Sequence, residues 1–145
     1  MLGELMKAIK LRWSAKSLST SFPGGIEASQ TQPSTTFPNV TVDIIGSSMT
    51  NRSTSSTDNR FNQYETATVD LTVHSKGGFS ATSALAEILK AALDNAPLTL
   101  GGGVTLKKFW YMGESVDQDP QRTNFWDWTL TYQAVLEQQK TLVPA

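Results

Sequence analysis

The stretch Thr66-Ala67-Thr68-Val69-Asp70-Leu71-Thr72-Val73-His74 decides the fold. Ala67, Val69, Leu71 and Val73 alternate with polar residues, and successive side chains of a strand point to opposite faces. The segment therefore reads as a strand with one face on a core and the other in water. The same period recurs near the end of the chain, where Trp126, Trp128, Leu130, Tyr132, Ala134 and Leu136 alternate with Asp127, Thr129, Thr131, Gln133 and Glu137. Upstream, the β-branched run Val40-Thr-Val-Asp-Ile-Ile45 predicts a third strand that ends at Gly46. Val104 to Met112 predicts a fourth, whose alternation switches between Leu106 and Phe109 as a bulge, or burial of both faces, would make it do.

Between and before these strands the period changes. Leu2, Leu5, Met6, Ile9 and Trp13 recur every three or four residues, with Glu4, Lys7, Lys10 and Arg12 on the remaining arc, which predicts an amphipathic helix over 2–18. Phe22-Pro23-Gly24-Gly25 stops it, and the polar stretch onward to Phe37-Pro38, with Pro33 inside it, reads as an extended or loop connection. Leu85, Ile88, Leu89, Ala92 and Leu93 form the stripe of a second helix over 80–95, with Ser80 or Ser83 as its cap and Asp94-Asn95-Ala96-Pro97 as its end. Helix, two strands, helix, two strands predicts one α+β domain over 1–145: a mixed, mainly antiparallel sheet of about four or five strands packed by two helices.

Two polar stretches interrupt this order. Residues 46–64 are almost wholly Ser, Thr, Asn and charged side chains, and predict a long loop of functional or mobile character between the first two strands. A second polar loop is expected over 113–124.

The chain has 145 residues, no cysteine and one histidine, so thiol chemistry, disulfides and cysteine-type metal sites are excluded. Twelve basic against thirteen acidic residues argue against a broad nucleic-acid or anionic-membrane face, which needs clustered Lys and Arg. No apolar run reaches membrane-span length, and Glu4, Lys7 and Lys10 break any signal-like start, so a soluble, unprocessed chain is expected.

Catalytic candidates are sparse. His74 shares the wet face of its strand with Asp70 and Thr72, but no Gly-x-Ser-x-Gly elbow accompanies it. Asp117-Gln118-Asp119 begins like a calcium loop, yet Pro120 takes the next ligand position and no glutamate closes it. The Gly101-Gly102-Gly103 turn leads into a strand instead of a helix, which removes the dipole that a phosphate cradle exploits. No catalytic residue, metal or cofactor is expected. Aromatic residues are the remaining asset: Tyr111, Phe125 and Trp126, next to turns, are candidates for a subunit interface. Asn51, Arg52, Asp58, Arg60, Phe61 and Tyr64 make the long loop a candidate contact with a partner, and Asp117, Asp119 and Arg122 do the same for the second loop.

The order of elements resembles the tail terminator and tail-completion proteins, the head–tail joining proteins of long-tailed bacteriophages. The resemblance rests on the leading helix, Val40 to Ile45, the strand from Ala67, the helix Ala81 to Leu93 with its exit Ala-Ala-Leu-Asp-Asn-Ala-Pro-Leu, and the strand Trp128-Thr-Leu-Thr-Tyr-Gln-Ala-Val. It implies a structural virion protein without catalytic activity that assembles in the host cytoplasm. Its copies would form a homohexameric ring at the tail–neck junction, between the tail tube protein and a head-completion or connector protein. Genomic DNA would pass through the ring without sequence-specific binding, and no membrane would be involved. Two alternatives remain: a head-completion or connector protein of the same neck, and a small hydrolase or ligand-binding α+β domain around His74.

Overall fold

The computed structural model describes residues 1–28, 35–53, 60–94 and 98–141. Helix α1 covers Leu2–Ala15 and is followed by a 3-10 turn at Leu18–Thr20. Strands β1 (Ile26–Ala28), β2 (Asn39–Ser53) and β3 (Arg60–Ser75) precede helix α2 (Phe79–Asp94), and β4 (Val104–Gln118) and β5 (Trp126–Thr141) complete the chain. The five strands form one sheet in the order β1-β2-β3-β5-β4. Among the described strands only β1 and β2 run parallel; every other neighbouring pair is antiparallel. The expected α+β class holds, with α2 against β3 and β5 and α1 against β2.

Alternation builds the core. Val69, Leu71 and Val73 of β3 and Leu130, Tyr132, Ala134 and Leu136 of β5 share one buried face with Leu5, Ile9 and Trp13 of α1 and Leu89 and Leu93 of α2. Removing this apolar area from water drives the two layers together. Ile88, expected in the α2 stripe, is 41% exposed, and Ala86 is buried in the stripe instead. Ser80 and Ser83 do not cap α2, which begins ahead of both; buried Thr82 in its first turn donates its hydroxyl to the carbonyl of Gly78 at 2.6 Å. Gly24 is needed where the chain enters the sheet, because a Cβ there would lie 2.1 Å from the Thr36 carbonyl oxygen.

Three expectations are corrected. Residues 46–53 and 60–64, read as loop, are the far ends of β2 and β3, paired rung by rung from Gly46–Ala67 to Ser53–Phe61. Their polarity misled because none of the described side chains of this end is buried, so no apolar period marks it as strand. Asp117, assigned to the second loop, is a strand residue of β4 opposite Asp127. The connection before Phe37 contains β1, too short for a periodic signal; Ile26 to Ala28 is held by pairing with Val40 to Val42. Of the two readings of the switch in β4, the structure shows a bulge, between Leu106 and Lys108, and a second lies between Tyr111 and Gly113.

Candidate assembly interface

Because the helices cover one face of the sheet, every second residue of β2, β3 and β5 faces the other way. That open face is a ladder of short polar side chains. Thr72 and Thr129 share a hydrogen bond of 2.9 Å, and the Thr131 hydroxyl donates to Asp70 at 2.7 Å. Asp43 stands directly opposite Asp70, and Asp117 opposite Asp127, so two like-charged pairs lie across the strands of the same face. Such pairs cost folding free energy, and they make this end of the face acidic, while Lys108, level with Thr66 and Val135, carries positive charge further along it.

His74 joins this ladder. Its Nε2 lies 2.9 Å from the Thr41 hydroxyl and its Nδ1 lies 2.7 Å from Asp127 Oδ1. Hydroxyl, imidazole and carboxylate are in the order of a nucleophilic relay, so the structure replaces the expected neighbours Asp70 and Thr72 with Thr41 and Asp127. A relay also needs donors aimed at a developing oxyanion. Here the surrounding backbone N–H groups belong to the ladders joining β2, β3 and β5, and the three side chains work as a cross-strand tie. Among the described residues no group of His, Asp and Glu is placed to hold a metal ion. Among the described residues no helix is long and apolar enough to cross a membrane.

The two candidate contact sets fall at opposite ends of the sheet. Asn51 and Arg52 on β2 are opposite Gln63 and Asn62, Phe61 is opposite Ser53, and Tyr64 is opposite Thr50. Arg60 begins β3 beside them; Asp58 lies outside the described residues. At the other end, Asp119 and Arg122 occupy the turn between β4 and β5. Asp119 Oδ1 accepts the backbone N–H groups of Gln121 at 2.9 Å and Arg122 at 3.2 Å, and its Oδ2 accepts the Arg122 guanidinium at 3.0 and 2.8 Å. The Gln121 amide and then the Arg122 side chain hold the Asp119 carboxyl below the usual aspartate range. Sixteen residues of β3 separate the two ends, on the order of 50 Å at the rise of an extended strand.

Tyr111, Phe125 and Trp126 each have a partner inside the chain. Tyr111 meets Tyr132 edge-on at 5.7 Å and lies beneath Lys90 Nζ at 4.1 Å. Phe125 meets Phe37 edge-on at 5.5 Å and carries the Arg122 guanidinium at 4.0 Å. Trp126 meets Phe79 at 5.2 Å. The large apolar side chains left in water are others: Ile45 and Met49 on β2, Trp110 and Met112 on β4, and Leu11, Phe79 and Ile88 on the helices. Trp110 was within reach of sequence reasoning, since the alternation after the first bulge turns Phe109 and Tyr111 inward and Trp110 outward. What no local pattern reveals is that β2 and β4 lie towards the two edges of the sheet.

Comparison with known proteins places this architecture. The model of a family described as tail completion protein gp17 matches residues 14–137. A chain from a solved structure titled as the virion of a native gene transfer agent particle superposes with a TM-score of 0.72, over 94% of this chain and 96% of that one, at 17% identity. At that identity the likeness is one of fold. A comparison with curated protein sequences returned no match.

Proposed function

Since this chain belongs to the family of tail completion protein gp17, a family of structural virion proteins, we propose that its copies close a ring, hexameric as the resemblance implies, that caps the tail tube and joins it to the head-side connector. The observation that supports this reading is that the two candidate contact sets lie at opposite ends of one sheet. A disc between two partners needs recognition groups above and below, and a sheet held between them by a continuous core keeps them apart. The hairpin end with Asn51, Arg52, Arg60, Phe61 and Tyr64 meets one partner, and the turn with Asp119 and Arg122, beside Asp117, meets the other.

The acidic end of the open face supports the same reading. There Asp43, Asp70, Asp117 and Asp127 would not hold phosphates, so DNA in a channel lined by this end would slide past it. The protein does this work by shape and contact, without catalysis. The test is to remove the gene product from an infection and examine what accumulates. Filled heads and tails that fail to join, with the missing chain located at the tail–neck junction of complete particles by electron microscopy of a tagged copy, is the expected result. A tag on the head-side disc of the neck would favour the head-completion role; a tag elsewhere in the particle would end both.

A further inference from the structure

The two long edges of the sheet match one another, and we propose that neighbouring copies join by adding β4 of one copy to the free edge of β2 of the next, with Trp110 packed on Ile45 across the seam. This rests on the reading of the chain as a ring protomer and names how the ring closes.

An edge strand offers unpaired N–H and C=O groups to another strand, and soluble proteins ordinarily blunt such edges. Here β4 is an edge of fifteen residues. On the other side, among the described residues, β1 pairs with Val40 to Val42 of β2, and no strand pairs with Asp43 to Ser53 on the side away from β3. Strand directions alternate from β2 through β3 and β5 to β4, so β4 of one copy runs antiparallel to β2 of the next when copies are related by rotation about an axis along the strands. The contact is heterologous, each copy presenting two different edges, and such a contact closes into a ring when its rotation closes.

The registers make the fit specific. Ser48, Thr66, Val135 and Lys108 form one rung, and the bulges in β2 and β4 both abut it, at positions 47 and 107. A bulge bends its strand, so both edges bend at the same height. The second bulge in β4, at Met112, is level with Asp43 and Ile44, just past the last described β1 pair, Ala28–Val42. It turns β4 aside at the height where β1 of the neighbour would block it. Lys107 does not oppose pairing, because it is engaged with Glu137 of its own sheet at 3.2 Å.

The exposed apolar side chains lie where this seam needs them. Ile45, Thr68, Gln133 and Trp110 share one rung on the open face, and without stagger Trp110 of one copy comes beside Ile45 of the next. These residues are 37% and 54% exposed in the single chain. Met112, 56% exposed, is level with a groove beside the β2 edge lined by Leu2, Met6, Ala28, Val42 and Ile44, which fits an unbranched apolar side chain.

Because the chain has no cysteine, introduced thiols report the seam cleanly. Facing residues on adjacent antiparallel strands lie within disulfide range. Oxidation of particles carrying Ile45→Cys together with Trp110→Cys is expected to give a covalent ladder ending in a closed multimer. Either substitution alone, or Leu11→Cys with Ile88→Cys, gives none. Dimers from Trp110→Cys alone would mean a two-fold contact and overturn the proposal. A closed multimer in the particle without cross-linking of the Ile45–Trp110 pair would overturn the seam and leave the ring intact, whereas no closed multimer would overturn both. Should the double variant fail to assemble, hydrogen exchange on the unsubstituted protein decides: the β4 amides that point away from β5 become protected on assembly, and continued fast exchange there refutes the seam.

Discussion

Tyr132 is wholly buried yet carries a hydroxyl, which Asp94 satisfies by accepting its hydrogen bond at 3.0 Å. Burial first, and then the Asp94 charge, push the phenol above its ordinary value. Tyr132→Phe keeps the parallel stack on Phe109, with centroids 4.8 Å apart, and loses the hydroxyl bond. Asp94 is exposed and water replaces its partner, so the expected loss is about 1 kcal/mol, read as a fall of roughly 2–4 °C in thermal midpoint. The sign of the alkaline effect follows from the same shift. With the folded value raised, stability is unchanged below the ordinary phenol range and falls as pH rises through it, and Tyr132→Phe should lessen that fall in an alkaline denaturation series. Asp119 behaves in the opposite sense. Its carboxyl is held low by the Gln121 amide and Arg122, so its contribution to the turn is present above the ordinary aspartate range and is lost as pH falls through the lowered value. The amide resonances of Gln121 and Arg122 should shift together in that acidic window, and independent titration of the two would contradict the shared carboxylate.

Among the elements, the β2–β3 hairpin is the one whose length exceeds what the core requires. Leu71 and Val73 hold β3 under the helices, while Ser53 and Phe61 pair at the far end, well beyond Ile44, the last residue of β2 packed against the core cluster. Replacing residues 55–59 with a two-residue Asn-Gly turn, which keeps the Ser53–Phe61 register, therefore leaves the folded core in place, because that turn suits a tight antiparallel hairpin. Circular dichroism should be unchanged, and joined infectious particles should be lost; normal particle yield would remove the replaced residues, Asp58 among them, from the contact surface. The element was misread from the sequence for a physical reason. A strand declares itself through an apolar face, and the segment from Ser48 to Asn51 lies largely beyond the helices, with its described side chains in water. Val69 to Val73 had a helix layer to face and was legible at once.

At the scale of the whole molecule, the same chain must stay folded alone and still have edges to offer. Trp110→Glu places a charge on the outer face of β4 at a residue that the core does not use. The isolated variant should melt within about 0.5 kcal/mol of the parent, and its incorporation into particles should fall severalfold or more. Equal incorporation, measured by quantifying the chain in purified particles, would count against any role for that edge. The amino-acid sequence by itself determined the α+β class, the two helices, the core-facing parts of the four long strands and the switch of alternation in β4, because these follow from apolar periods within single segments. The candidate contact residues were also named there, though the strand nature of most of the first set was not. Only the tertiary structure decided that β4 and β2 flank the sheet, that the contact sets stand at its opposite ends, and that Thr41 and Asp127 are the partners of His74. Strand order and register are set by pairing between residues far apart in the chain, and no local period carries that information.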